Sequence, residues 1–69
     1  NNHNHVLAKK DLSFLKNLKN TIVQLTLKDN DTLWFYIKDC SEGQLIGFAN
    51  QNDHWVYRVI NFSKIHTFS

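Results

Sequence analysis

The residues of this chain that could do acid–base or nucleophilic chemistry are few. They are Asp39, Cys40, Glu42, His54 and His66. General acid–base catalysis needs at least two titratable groups that converge in one pocket, whereas these residues fall in predicted turns or at the ends of predicted strands. Gly43 and Gly47 are the only glycines, which excludes a glycine-rich phosphate loop. We therefore expect no enzymatic activity and no cofactor.

Metal-ligating residues form no recognisable set either. The single cysteine cannot make an internal disulfide, and no Cys-x-x-Cys pair suggests a zinc site. His3 and His5 carry imidazoles, but no partner ligands are spaced to complete a site around them. The surrounding segment, NNHNH over residues 1–5, has no apolar side chain. We expect a disordered N-terminal arm over residues 1–6 and no bound metal.

Side chains suited to nucleic-acid binding are more numerous. Phosphates are bound by cations, and unstacked bases by flat aromatic rings. The candidate phosphate-binding residues are Lys9, Lys10, Lys16 and Lys19. The candidate base-stacking residues are Trp34, Tyr36 and Phe48. The alternative for the lysines is a solvated helix surface, and the alternative for each aromatic residue is the core or a subunit interface.

The lysines lie in a segment with helical periodicity. Leu7, Phe14, Leu15 and Leu18 recur at helical spacing. The pattern predicts a helix over residues 9–19, with its apolar side on a sheet and its lysines on a basic face. A helix this short is unstable alone, so it must dock on the body of the protein.

From residue 21 onward the apolar residues recur with a period of two. The predicted strands cover residues 21–28, 32–38, 44–50, 54–60 and 64–68. Their connections are too short for parallel crossovers, so neighbouring strands must be antiparallel, and Gly47 indicates a bend or bulge. Five strongly bent strands of this length are best buried by curling into a barrel. The predicted fold is mainly β, with one N-terminal helix and a small five-stranded antiparallel barrel in a single domain over residues 7–69.

Size and composition restrict how such a domain is stabilised. A chain of 69 residues buries only roughly 60% of its unfolded surface, and no disulfide adds to its stability. The lone cysteine indicates a reducing compartment, so we expect a cytoplasmic protein. No apolar run approaches the roughly 20 residues that cross a bilayer, so we expect no membrane partner.

Some apolar residues do not follow the alternation that places side chains in the core, and they indicate a surface that binds a partner. Trp34, Tyr36, Ile46, Phe48 and Ile60 fall out of phase with the alternating core residues. A small barrel cannot enclose both sets, and exposed apolar patches of this kind mark interaction sites. We expect a homo-oligomer to bury this surface, with a ligand groove as the alternative.

The order of these elements resembles the Sm-like fold of the bacterial Hfq family. The similarity covers residues 11–68 and rests on FLKNLKN at 14–20, TIVQLTLKDN at 21–30, WVYR at 55–58 and KI at 64–65. It implies a helix packed on a strongly bent five-stranded sheet, and a ring, usually a hexamer, formed by the fourth and fifth strands of adjacent subunits. It also implies RNA binding in post-transcriptional regulation, in which small RNAs are matched to messages.

The resemblance adds residues to the candidate sites. It implies that Tyr57 and Arg58 bind RNA at the pore of the ring. The candidate subunit-interface residues are Trp55, Tyr57, Val59, Ile65 and Phe68. Thr26 stands where the family carries a base-stacking aromatic residue, and Lys10 stands where it carries Gln. Because these departures fall on RNA-contacting positions, the alternative function is a protein-interaction or assembly module with little or no RNA binding.

Overall fold

Six antiparallel strands and one short 3₁₀ helix make up the part of the chain that the structure describes. This computed structural model describes residues 5–6 and 16–69. The strands are β1 (His5–Val6), β2 (Ile22–Leu27), β3 (Thr32–Ser41), β4 (Gln44–Gln51), β5 (His54–Asn61) and β6 (Ile65–Phe68), and the 3₁₀ helix is Phe62–Lys64. They form one sheet in the order β1-β6-β2-β3-β4-β5.

The five strands predicted from the alternating pattern are confirmed, and so is their antiparallel pairing. The largest difference is in β3, which continues to Ser41 because a bulge at Lys38 bends the strand without ending it. The sheet is open within the described residues, since β5 pairs with β4 alone. The structure therefore shows a mainly β fold in one open sheet rather than a closed barrel.

The predicted helix over residues 9–19 lies largely outside the described residues. In its described part, Lys16 is helical and residues 17–20 form turns, so the helix does not extend to residue 19. Thr21 ends this turn segment, because its hydroxyl donates a hydrogen bond of 2.6 Å to the Leu18 carbonyl. The polar residues Asn17 and Asn20 weaken helix formation here, and Asn20 adopts a positive φ of 67°.

The expectation of a disordered arm over residues 1–6 needs a correction at its last two residues. His5 and Val6 form β1, which pairs with Phe68 and Thr67 of β6. The expectation considered only the burial of apolar side chains, whereas a backbone ladder requires none. Residues 1–4 lie outside the described part of the chain.

One core cluster holds the sheet together. Its buried members are Val23, Leu25, Phe35, Ile37, Cys40, Leu45, Ala49, Ile60, Ile65 and Phe68. The sheet must curve around this cluster, because side chains from β5 and β6, at opposite ends of the strand order, share it. The assignment of Ile60 to the out-of-phase set is wrong: Ile60 lies opposite the buried Leu45 and is 3% exposed.

Two tight turns fix the register of β3, β4 and β5. Glu42 and Gly43 connect β3 to β4, and both have positive φ, at 54° and 76°. Asn52 and Asp53 connect β4 to β5 with φ of 53° and 66°. Positive φ at both central residues is the signature of a type I′ turn, whose twist matches that of the flanking strands. Each turn therefore determines which residues of the next strand face the core.

Gly47 lies where β4 passes closest to the bulge of β3. A Cβ at this position would overlap the Tyr36 carbonyl oxygen and lie 3.0 Å from Cε2 of Phe35 and 3.1 Å from the Lys38 nitrogen. The bulge therefore lies in β3, opposite Gly47, rather than in the strand of Gly47 itself, and glycine is the residue that permits this close approach of the two backbones.

We expect Gly47→Ala to lower the free energy of unfolding by roughly 2–3 kcal/mol, because the backbone must shift to admit a methyl group. Gly43→Ala is the matched control, since a Cβ at Gly43 meets nothing within 4 Å. We expect this variant to lose only about 1 kcal/mol of unfolding free energy, because alanine is strained at the positive φ of this position. Urea denaturation followed by circular dichroism measures both. Equal losses for the two variants would contradict this account of Gly47.

Candidate interaction surface

The sheet has a second group of apolar side chains on the face that points away from the core. We call this face the outer face. One row crosses four strands, since Ile22 lies opposite Tyr36, Tyr36 opposite Phe48, and Phe48 opposite Tyr57. The outer face comprises Ile22, Trp34, Tyr36, Ile46, Phe48, Trp55, Tyr57 and Val59. Four of the five residues predicted to be out of phase with the core therefore lie on this face.

Aromatic rings at the centre of the outer face contact one another. The Tyr36 and Phe48 ring centroids are 6.4 Å apart with the planes tilted by 31°. The Phe48 and Tyr57 centroids are 5.8 Å apart in an edge-on arrangement at 70°. The Tyr36 hydroxyl also donates a hydrogen bond of 3.1 Å to Oδ1 of Asn20. Such contacts hold the rings in fixed orientations at modest energetic gain per pair.

A shallow apolar groove of about 470 Å³ lies beside this row. It is lined by Ile22, Tyr36, Phe48 and Trp55. A volume of this order accommodates a small planar group, and aromatic walls favour stacking over hydrogen bonding. The groove can therefore take a nucleobase or an apolar side chain of a partner.

The outer face carries little charge. Asp39, which lies opposite Ile46, is the charged residue of this face among the strands described. Its carboxylate lies 3.9 Å from the Lys19 ammonium, and both side chains are exposed, so the pair contributes little to stability. Aromatic residues in an environment depleted of charge are typical of the centre of a protein–protein interface.

β5 is an unprotected sheet edge. Its exposed apolar residues are Trp55 at 47%, Val56 at 41%, Tyr57 at 61% and Val59 at 43%. β5 pairs with β4 over eight residues without a bulge, and no strand of the described residues lies on its other side. Edge strands are usually protected by bulges, by Pro or Lys, or by being short. β5 therefore has the features of a strand that accepts another strand.

A second groove, which we call the lysine groove, lies where β2 meets β6. It has a volume of about 430 Å³ and is lined by Leu27, Lys28, Asp29, Ser63 and Lys64. The Lys28 N–H donates a hydrogen bond of 2.9 Å to the Lys64 carbonyl, which brings the two lysines together. The ammonium and hydroxyl groups suit an anion such as a phosphate, whereas the Asp29 carboxylate, which accepts a hydrogen bond of 3.0 Å from the Asp31 N–H, opposes one, so the net charge of the lining is +1. Sequence periodicity does not reveal this pair of lysines, because their proximity depends on the pairing of β2 with β6.

The predicted RNA-binding residues do not form one site among the described residues. Lys9 and Lys10 lie outside the described part of the chain. Lys16 is exposed, and Lys19 pairs with Asp39. Tyr57 and Arg58 lie on opposite faces of β5, because successive strand residues alternate. Tyr57 is on the outer face, whereas the half-buried Arg58 donates a hydrogen bond of 3.3 Å to Oε1 of Gln51.

The predicted subunit-interface residues divide into two groups. Trp55, Tyr57 and Val59 are exposed on β5 and are available to a partner. Ile65 and Phe68 are core residues at 2% and 4% exposure, so their side chains cannot contact another subunit. A four-residue strand is too short for its phase to be determined from sequence, which explains the error. The backbone of β6 and the side chains of His66 and Thr67, which are exposed and half-buried, are available to a partner.

The candidate catalytic residues do not converge. Cys40 is fully buried in the core, and burial raises the pKa of its thiol, with a lowering contribution from Lys16 and a raising one from Asp39. His54, Glu42 and His66 are exposed. Within residues 5–6 and 16–69, no group of three or more His, Cys, Asp or Glu side chains is placed to hold a metal ion.

Comparison with known proteins leaves the family open. No protein-family model matches the chain, no curated protein matches it, and no solved structure matches its fold. None of the helices described is both long and apolar enough to pass through a lipid bilayer. The resemblance to the Sm-like family therefore rests on the residues named above.

We expect the Cys40 thiol of the folded protein to react slowly with a disulfide reagent at pH 8. Its raised pKa reduces the thiolate fraction there, and burial excludes the reagent. The reaction should become fast in denaturing urea. The control is Cys40→Ala combined with Ser63→Cys, which places a thiol at an exposed position and should react at once. Equally fast labelling of native Cys40 would contradict its burial.

Proposed function

We propose that this chain is an Hfq-like, Sm-like RNA-binding protein that forms a homo-oligomeric ring and acts in post-transcriptional regulation. The strand order is the observation that carries the proposal. The last two strands of the chain, β5 and β6, lie toward opposite ends of the sheet, with the two-residue β1 beyond β6 among the described residues. Two different edges on one subunit permit head-to-tail pairing, which generates a ring when the rotation closes.

The exposed strand β5 supports assembly on physical grounds. Its eight residues extend for roughly 26 Å and present unpaired backbone groups beside exposed apolar side chains. Pairing with a strand of a neighbouring copy would satisfy these groups and cover Trp55, Val56 and Val59. A domain of 69 residues gains most from such burial, because its own core is small.

The two grooves support RNA as the ligand. The lysine groove provides cations for phosphates, and the outer face provides rings for unpaired bases. Ile22 and Leu27 begin and end β2 and line the two different grooves. The grooves therefore lie roughly 16 Å apart along one strand. Because Ile22 is on the outer face and Leu27 packs against the core, an RNA that contacts both grooves must pass around the end of β2. A ring multiplies the net charge of +2 per chain into a stronger field.

A second candidate function is a protein-interaction or assembly module with little or no RNA binding. The observation that favours it is the low charge of the outer face, where Asp39 already pairs with Lys19. A partner recovered in a pull-down after nuclease treatment, without measurable RNA affinity, would support this function over RNA binding.

Light scattering should give a mass that is a multiple of the 8.2 kDa chain mass, with six copies as the expected ring. Val59→Lys places a charge beside the β5 edge and should weaken association at least tenfold, or by about 1.4 kcal/mol. Thr32→Lys, an exposed position at the start of β3, adds the same charge away from β5 and should leave the mass unchanged. A monomer at micromolar concentration for the wild-type chain would contradict the ring.

Fluorescence anisotropy with oligo-U and oligo-A at two salt concentrations tests RNA binding. Replacement of both Lys28 and Lys64 by Ala should weaken binding and reduce the magnitude of the salt slope by about 1.4, which corresponds to two phosphate contacts on a single strand. Each single variant, Lys28→Ala or Lys64→Ala, has Lys38→Ala as its charge-matched control, at an exposed residue of the β3 bulge, and this control should leave the affinity and the salt slope unchanged.

The helix lysines need a separate variant. If residues 9, 10 and 16 belong to the RNA site, their combined replacement by Ala reduces the affinity and the salt slope further. Unchanged affinity removes the helix face from the site. Absence of binding at low salt for the wild-type protein contradicts the RNA function as a whole.

A further inference from the structure

β1 covers part of the β6 edge at which the proposed ring needs a neighbouring strand. His5 lies opposite Phe68 and Val6 lies opposite Thr67 on one side of β6. On its other side β6 pairs with β2, through Leu25, Thr26 and Leu27. At Thr67 and Phe68 both edges of β6 are therefore occupied within a single chain.

A strand edge carries one set of backbone donors and acceptors. β1 and a strand from another copy therefore cannot pair with Thr67 and Phe68 at the same time. β1 offers only two residues, whereas β5 of a neighbouring copy has eight and can pair along all four residues of β6. The neighbouring β5 makes more hydrogen bonds and buries apolar side chains as well, so it can replace β1.

The two ends of the sheet differ in their protection. β6 is short, is bulged at His66 between its contacts with Thr26 and Leu27, and is partly covered by β1. These are the features that prevent unwanted edge pairing in natural proteins. β5 has none of them, as it is long, regular and rich in exposed apolar residues. The chain therefore protects the edge that receives a strand and leaves open the edge that donates one.

We propose that β1 is a displaceable cap on the β6 edge, which limits ring assembly until β5 of a second copy replaces it. The proposal rests on the ring described under the proposed function. It assigns a role to β1: a pairing of two residues makes few hydrogen bonds, so it is weak enough to be exchanged. The cap determines the protein concentration at which the ring closes.

Val6→Pro tests the cap, because proline removes a backbone N–H and is incompatible with regular strand pairing. Asn2→Pro introduces the same residue outside β1 and is the matched control. Sedimentation velocity over a range of concentrations should show the Val6→Pro ring forming at roughly tenfold lower concentration than the wild type, with Asn2→Pro unchanged. A chain that begins at residue 7 should behave as Val6→Pro does.

The outcomes separate the cap from the ring. A ring whose concentration dependence is the same in all variants overturns the cap and leaves the ring in place. A monomer in every variant overturns the ring and the cap with it. A species limited to two copies in every variant indicates pairing of β5 with β5 and overturns the cap, because the β6 edge is then unused.

Backbone amides of β6 in dilute protein should exchange faster in Val6→Pro than in Asn2→Pro, and equal exchange overturns the cap.

Discussion

The edge of β5, which pairs with no second strand among the described residues, is the constraint on which the rest of this structure depends. A backbone N–H or C=O without a partner is tolerated when water reaches it, but exposed apolar side chains beside it make pairing with another strand favourable. β5 has four such side chains and no bulge or proline, and Arg58, opposite Gly47, is its one charged residue of the Lys, Arg, Asp and Glu types. Assembly through this edge would pair these backbone groups and cover the exposed apolar side chains.

The outer face follows from the same register that builds the core. Once the two type I′ turns fix β3, β4 and β5 relative to one another, every second residue faces away from the core, and Tyr36, Phe48 and Tyr57 fall into one row. Within residues 5–6 and 16–69, one face of the sheet carries the core cluster and the other keeps several large apolar side chains exposed. This surplus of aromatic surface is what a partner or a ligand would use, and the lysine groove at the far end of β2 complements it with charge.

Much of the fold could be predicted from the sequence, because the period-two alternation is strong and the connections are short. The five longer strands, their antiparallel order and half of the outer face, namely Trp34, Tyr36, Ile46 and Phe48, follow from these features alone. The face of the sheet on which Ile60 lies could not be predicted, since it depends on the turn at residues 52–53. The burial of Phe68 could not be predicted either, because its strand is too short to show an alternating pattern. The lysine groove was missed for a different reason: Lys28 and Lys64 meet only through long-range pairing of β2 with β6.

Hydrogen–deuterium exchange along β5, measured as a function of protein concentration, tests the central claim most directly. In dilute, monomeric protein the amides of β5 that do not bond to β4 should exchange as fast as those of an exposed turn. At concentrations where light scattering shows the oligomer, the same amides should become protected, with no comparable change in the β2–β3 turn. Amides of β5 that remain unprotected in the oligomer would contradict assembly through this edge.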